Sequence, residues 1–133
     1  MKSSLILRGF FACIVFMLFL SSKPAVHKSR VEWLTPTSHD FGNIPRDVPV
    51  ECVFVYKNIS SEPLTVDNVR TSCGCTAPEW DTGEVIMPDS TGQIRLIFDA
   101  HMPGYFYKLA KVYFSGQRKG EKLIIEGEVV KSK

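Results

Sequence analysis

Apolar and polar residues alternate along most of the chain after residue 30, and a period of two predicts strands rather than helices. The clearest run has Val50, Cys52, Phe54 and Tyr56 alternating with Glu51, Val53, Val55 and Lys57. One face of that strand is apolar with an aromatic centre, which places Cys52 in the core. Ile94, Leu96 and Phe98 alternate in the same way with Gln93, Arg95, Ile97 and Asp99. Leu64, Val66 and Val69 predict a strand leading into a cysteine segment, and Glu84-Val85-Ile86 a short one after it. Tyr105 to Phe114 predicts a longer strand, interrupted at Leu109 and Ala110, and Leu123 to Val130 the last. Upstream, Val31–Leu34 and His39–Ile44 read as two halves of a first strand, broken at Thr35-Pro36-Thr37 because proline cannot donate to a ladder.

Turn signals separate these runs: Pro45-Arg46-Asp47-Val48-Pro49, Asn58 to Pro63, Met87 to Gly92, His101 to Gly104 and Ser115 to Gly120. Short strands recurring about every ten to fifteen residues, with no helical periodicity between them, predict an all-β fold. The expectation is an immunoglobulin-like sandwich of seven antiparallel strands over residues 31–131. At 133 residues, 44% hydrophobic and 23% charged, the chain is sized for one such domain.

The first 22 residues read differently. Lys2 and Arg8 precede an uncharged, largely apolar run from Gly9 to Leu20, then Ser21-Ser22-Lys23-Pro24. That is the pattern of an export signal, and it is short for a stable membrane span of ~20 apolar residues. Small residues at the cleavage positions are only half supplied, so residues 1–22 are expected to be either a signal peptide or an uncut apolar anchor helix. Residues 5–20 would then form the membrane tether, and residues 23–30 a linker. Cys13 follows Phe10-Phe11-Ala12, a poor lipidation box, and belongs to the apolar run. The expected location is the periplasm or cell envelope, with the inner membrane as the site of any anchor.

Charge adds little to this picture. Removing Lys2 and Arg8 from the sixteen basic residues leaves fourteen, against fourteen acidic ones, so the exported part is neutral. No basic stripe with interleaved aromatics is present, which argues against nucleic acid as partner.

The dense chemistry lies in Thr71-Ser72-Cys73-Gly74-Cys75-Thr76-Ala77-Pro78. An oxidising compartment lets disulfides persist, and a near-extended Cys-Gly-Cys tripeptide just reaches disulfide geometry with the help of Gly74. Three readings stay open. The pair is a structural staple or thiol cluster packed near Trp80, a redox couple, or a metal clamp. Redox work would need a cation to lower a thiol pKa, and only Arg70 is near in sequence. If connections are antiparallel, the loops holding Arg46-Asp47, Cys73-Gly74-Cys75 and His101-Met102 share one end of the sandwich, facing away from any N-terminal anchor. Cys73, Cys75 and His101, with Met102, would then suit copper(I) or zinc, although a closed zinc site wants four ligands and wider cysteine spacing.

No Ser/His/Asp order, paired-carboxylate motif or glycine-rich phosphate loop is present, so a non-enzymatic module without cofactor is expected. His39 and Asp40 are adjacent in a strand and point to opposite faces. Trp33 and Trp80 read as core-edge residues. Asn58-Ile59-Ser60 matches the N-glycosylation pattern, relevant only to a eukaryotic secretory pathway.

Taken together and in order, His39 to Ile44, Phe54-Val55-Tyr56-Lys57-Asn58, Pro63-Leu64, Ser72-Cys73-Gly74-Cys75-Thr76, Pro88 with Gly92, Gly104-Tyr105-Phe106 and Ile125 to Val129 resemble a bacterial family. It is the domain-of-unknown-function family numbered fifteen seventy-three, related to the Ig-like modules of Hydin, and the likeness covers about residues 33 to 130. The resemblance implies an Ig-like sandwich outside a bacterial membrane, with no assigned reaction. The family has glycine directly after the turn proline where this chain has Asp89, so a changed turn is expected. The functional expectation is an envelope module binding a protein or polymer through a sheet edge or the cysteine end. The alternative is a metal or thiol-redox domain centred on Cys73-Gly74-Cys75.

Overall fold

The alternating runs form eight strands: β1 (Val31–Trp33), β2 (Ser38–Pro45), β3 (Val50–Asn58), β4 (Val66–Thr71), β5 (Thr76–Glu79), β6 (Thr91–Phe98), β7 (Gly104–Phe114) and β8 (Glu121–Val130). They were obtained from a computed structural model that describes residues 28–131. The expected signal or anchor segment, with Cys13, lies outside the described residues. Two four-stranded sheets result, β1-β3-β6-β5 and β2-β8-β7-β4, and no described residue is helical.

The inward positions of the sequence pattern fill the space between the sheets. Phe54, Ile94, Leu96, Leu123 and Ile125 are completely buried. Aromatic pairs cross from sheet to sheet: Phe98 of β6 stacks on Phe106 of β7 at 4.1 Å, and Tyr56 of β3 meets Phe114 of β7 edge-on at 4.8 Å. Trp33 packs on the same cluster, 5.6 Å from Tyr56. It sits at the core edge with Trp80, as expected for both. Cys52 faces inward at the margin of the core, half-buried, and burial pushes its thiol pKa up, which keeps it an unreactive small apolar residue.

Three expectations about strands are corrected. The two halves of the predicted first strand are separate strands in different sheets. After β1 pairs with β3, the chain crosses at Thr35-Pro36-Thr37 and β2 pairs with β8. The crossing is held because the Leu34 amide donates to the Val55 carbonyl at 2.8 Å and the Val55 amide to Thr35 Oγ1 at 3.1 Å. The sandwich is also not wholly antiparallel, since β2 runs parallel to β8. Finally, Glu84–Ile86 makes only an isolated bridge, Leu64 with Ile86, and the strand in that region is instead β5, directly after the cysteines. β5 tolerates Pro78 because it is an edge strand, paired to β6 on one side alone.

The turn at Asp89 keeps the left-handed conformation that suits glycine, with φ 66°. Asp89 is among the residue types that tolerate it, and its amide donates to the Asn58 carbonyl at 2.9 Å. Asn58 itself has no exposure, and its side chain is fully bonded within the fold, so the glycosylation pattern is inaccessible.

Registers fix which loops share an end. Val50 and Thr76 both pair with Phe98, and Gly104 pairs with Val129. The segments around 46–49, 72–75 and 99–103 therefore sit together. Val31 pairs with Asn58 at the far end, so the chain enters the sandwich opposite the cysteines. Entry is tied down by Arg30, whose guanidinium donates to the Ser115 carbonyl at 2.9 Å and bridges Glu62 at 2.9 Å. The last residues of the expected linker are thus bonded to the domain.

Candidate functional site

The cysteine end is built where β4 stops and β5 begins. Thr71 Oγ1 donates to the Cys73 carbonyl at 3.0 Å, and the Ser72 amide donates to the Leu109 carbonyl at 2.8 Å. These bonds turn the chain sharply enough for Cys73 and Cys75, Cα atoms 5.3 Å apart, to be joined in a disulfide. That separation lies within the normal range for the bond. Gly74 stands exposed with open space where a Cβ would be. Cys75 packs against the core margin, and Cys73 Sγ lies 3.8 Å from Thr76 Oγ1.

Neighbouring loops are bonded to this one. The Asp99 amide donates to the Cys75 carbonyl at 3.1 Å, and the Asp47 amide to the Ala100 carbonyl at 3.0 Å. Arg46 Nε donates to the His101 carbonyl at 3.0 Å. His101 Nδ1 lies 2.9 Å from Asp47 Oδ1, while its Nε2 is 4.0 Å from Asp99. Asp47 and Ala100 both adopt positive φ, 60° and 55°. For Ala100, wholly buried, that is a costly conformation held by its surroundings, a feature that clusters at functional positions. Val48 and Met102 are left facing solvent, the latter 78% exposed.

The sequence-based grouping of the Arg46-Asp47, Cys73-Gly74-Cys75 and His101-Met102 loops at one end is what the topology produces. Their side chains are not assembled as ligands: both sulfurs are in the disulfide and His101 is turned to Asp47. Among the described residues, no three His, Cys, Asp or Glu side chains converge in a metal-holding group. The Asp47–His101 clamp was not anticipated. Its sequence signal is only two short polar turns, and the partners are 54 residues apart.

The bond to Asp47, then the charge of Asp99, raise the His101 pKa above its ordinary value. A raised folded value means that the clamp contributes fully below the free-histidine pKa of about 6.5 and is lost as pH rises through the folded value. In an imidazole titration by NMR, His101 should titrate above about 6.5 and fall back toward that value in Asp47→Asn. No change on that substitution would mean that the clamp is absent in solution.

The disulfide closes a very short loop, so Cys73→Ser with Cys75→Ser should cost only about 1–2 kcal/mol. Loss of the β signal in circular dichroism would show instead that the fold depends on it.

A second feature is an open cleft of about 510 Å³ beside the end of β5, lined by Trp80, Glu79, Asp81, Glu84, Gln93 and Arg95. Arg95 is already bridged to Glu51 and Glu79 at 3.7 and 4.0 Å. Nearby, burial and then the Glu84 charge push the Tyr56 phenol up to about 12, so it stays neutral.

Comparison with known proteins agrees with the fold. The model of a family described as protein of unknown function (DUF1573) matches residues 33–129. No curated protein is significantly similar in sequence. Among solved structures, a protein of unknown function from Porphyromonas gingivalis W83 is 15% identical, with a TM-score of 0.62 over 81% of this chain and 50% of that one. The VesB protease of Vibrio cholerae is 14% identical, TM-score 0.60, over 77% of this chain and 33% of that one. The PapD-like domain 7 of human CEP192 is 9% identical, TM-score 0.63, over 85% and 95%. The chain thus spans half of the first of these structures and a third of the second. At such identities the likeness is one of fold, an Ig- and PapD-like β-sandwich.

Proposed function

This chain belongs to the DUF1573 family, and from that premise we propose that it is a non-enzymatic module of the bacterial cell envelope. On this reading it is exported, and it binds an envelope protein or polymer through the loop end that carries Cys73 and Cys75. The supporting observation is that this end is pre-organised. A disulfide, the Asp47–His101 and Arg46–His101 bonds and two cross-loop amide bonds hold three loops together while Val48 and Met102 stay exposed. Surfaces fixed before contact lose less entropy on binding. The chain enters at the opposite end, so an N-terminal tether would hold the loops outward.

The edges of the β2-β8-β7-β4 sheet, among the other surfaces the sequence suggested, are less suited. β2 and β4, the two edges of their sheet, each carry a register shift, and in β2 the Gly42 amide is bonded by Asp40 Oδ1 at 2.8 Å. Bulges of this kind blunt an edge against strand addition.

The test is a photo-crosslinking residue in place of Met102, with one in place of Glu62 at the far end as control. A discrete adduct with an envelope component from position 102 alone supports the reading. No adduct there, or equal adducts at both, overturns it.

A second reading rests on the Cys73–Cys75 pair itself: reduced, it would offer two thiolates to copper(I) or zinc, or cycle as a redox couple. Titrating the reduced protein with either metal, beside His101→Ala, separates the two. Binding weakened in that variant would make His101 a third ligand, through Nε2 while Nδ1 stays with Asp47.

A further inference from the structure

The outer face of the β2-β8-β7-β4 sheet carries a charge arrangement that costs the isolated chain energy. Three positively charged residues stand in one row across three strands, with Arg70 opposite Lys111 and Lys111 opposite Lys122. Two positions along the strands lies the row Leu109–Ile124–Ser38, apolar on its two central strands, and two further the row Tyr107–Glu126–Asp40, with Glu128 opposite Tyr105 beyond it. Like charges directly opposite one another in a sheet are destabilising. None of Asp40, Arg70, Lys111, Lys122, Glu126 or Glu128 forms a salt bridge among the described residues. Arg70 instead lies 5.4 Å from the Tyr113 ring, and the Tyr105 hydroxyl donates to Glu126 at 2.6 Å.

The two charged rows are equally far from the apolar row, about 7 Å on either side at strand spacing. A two-fold axis lying along the Leu109–Ile124 row would therefore set the basic row of one copy over the acidic row of another. Lys122 would face Glu126 of the second copy, and Lys111 the Tyr107 ring, while Leu109 and Ile124 meet their own counterparts. Stacked sheets pack about 10 Å apart, a gap that lysine and glutamate side chains span from both sides. Tyr105 and Tyr107, 68% and 52% exposed, supply the aromatic contacts that interfaces favour.

We propose that this chain self-associates as a two-fold dimer through the outer face of the β2-β8-β7-β4 sheet, by matching its basic row to the acidic row of a second copy. A patch four strands wide and some eight residues long offers roughly 500 Å² per copy, below the ~800 Å² of a standard interface. The dimer is accordingly weak and salt-sensitive. The proposal is independent of the cysteine-bearing end.

The test is sedimentation of the full chain in a non-ionic detergent, at concentrations up to about 200 µM, well above the micromolar weak end of standard-size interfaces. The native protein should associate at low salt and dissociate at high salt. Lys111→Glu with Lys122→Glu makes the two rows mainly acidic, with Arg70 still basic, and Glu126→Lys with Glu128→Lys makes them mainly basic, with Asp40 still acidic. Each should weaken self-association at least tenfold, and an equimolar mixture of the two should associate again. That recovery also shows that both variants are folded. A native protein that stays monomeric, variants that associate as well as it does, or a mixture that does not recover would each overturn the proposal.

Discussion

Phe54→Ala is expected to cost the domain about 3–5 kcal/mol, the range for deleting a large aromatic side chain from a packed core. Phe54 has no exposure and sits at the middle of β3, the strand that pairs with both β1 and β6. Its ring is surrounded by the inward residues of both sheets, which are themselves pinned by backbone ladders and cannot close over the void. A domain of this size has only about 5–15 kcal/mol in all, so the loss should appear as a large fall in the urea midpoint with an unchanged slope. Phe54→Leu, which leaves a smaller void, should lose much less. A loss below about 1 kcal/mol for Phe54→Ala, well under the range for such deletions, would mean that the side chain is not in the core.

That ring was legible in the sequence because β3 places an apolar residue at every second position, and the same holds for β6, whereas β8 carries Leu123, Ile124 and Ile125 in succession. Where burial is one-sided, period two states which residues face inward. The pattern failed where strands are edges. β5 has no apolar alternation and contains Pro78, since only one of its sides is bonded and little of it is buried. β1 and β2 looked like one strand because a crossing between sheets leaves the same signature as a proline break. Which sheet a strand joins is set by pairing to residues far away, such as Ile125 opposite His39. The cysteine motif could be located and its end of the fold inferred, because loop positions follow from strand count. The clamp between Asp47 and His101 could not, since each residue lies in an ordinary polar turn and only the folded backbone aligns them. The charge rows were equally hidden. A balance of fourteen bases and fourteen acids after residue 22 averages out a face on which Lys111 and Lys122 meet across strands.

Asn58→Asp is the second large effect, and it is specific to pH. Asn58 is fully buried, and its amide nitrogen donates to the carbonyls of Glu62 at 2.8 Å and Ile86 at 2.9 Å. Its oxygen accepts from the Ser60 amide at 2.9 Å and the Ser60 hydroxyl at 2.7 Å. Every polar atom is satisfied, and through these bonds Asn58 ties the end of β3 to the 59–62 loop and to Ile86. A carboxylate in the same place would aim a negative oxygen at two carbonyl oxygens with no water to relieve it. Its pKa in the folded protein must rise well above the unfolded value of about 3.9. The folded state then binds the proton more tightly than the unfolded one, so the variant is most stable below about pH 3.9 and weakens as pH rises toward the folded value. Over the three or so units to pH 7 the penalty reaches about 4 kcal/mol. At low pH a protonated acid still donates one bond, and the deficit against the native protein shrinks to roughly 1 kcal/mol. Asn58→Leu, with nothing to titrate, should be destabilised by a similar amount at neutral pH and show no such recovery. Urea unfolding of the three proteins between pH 4 and pH 7 measures the difference. A deficit for Asn58→Asp that does not change with pH would mean that position 58 is open to solvent.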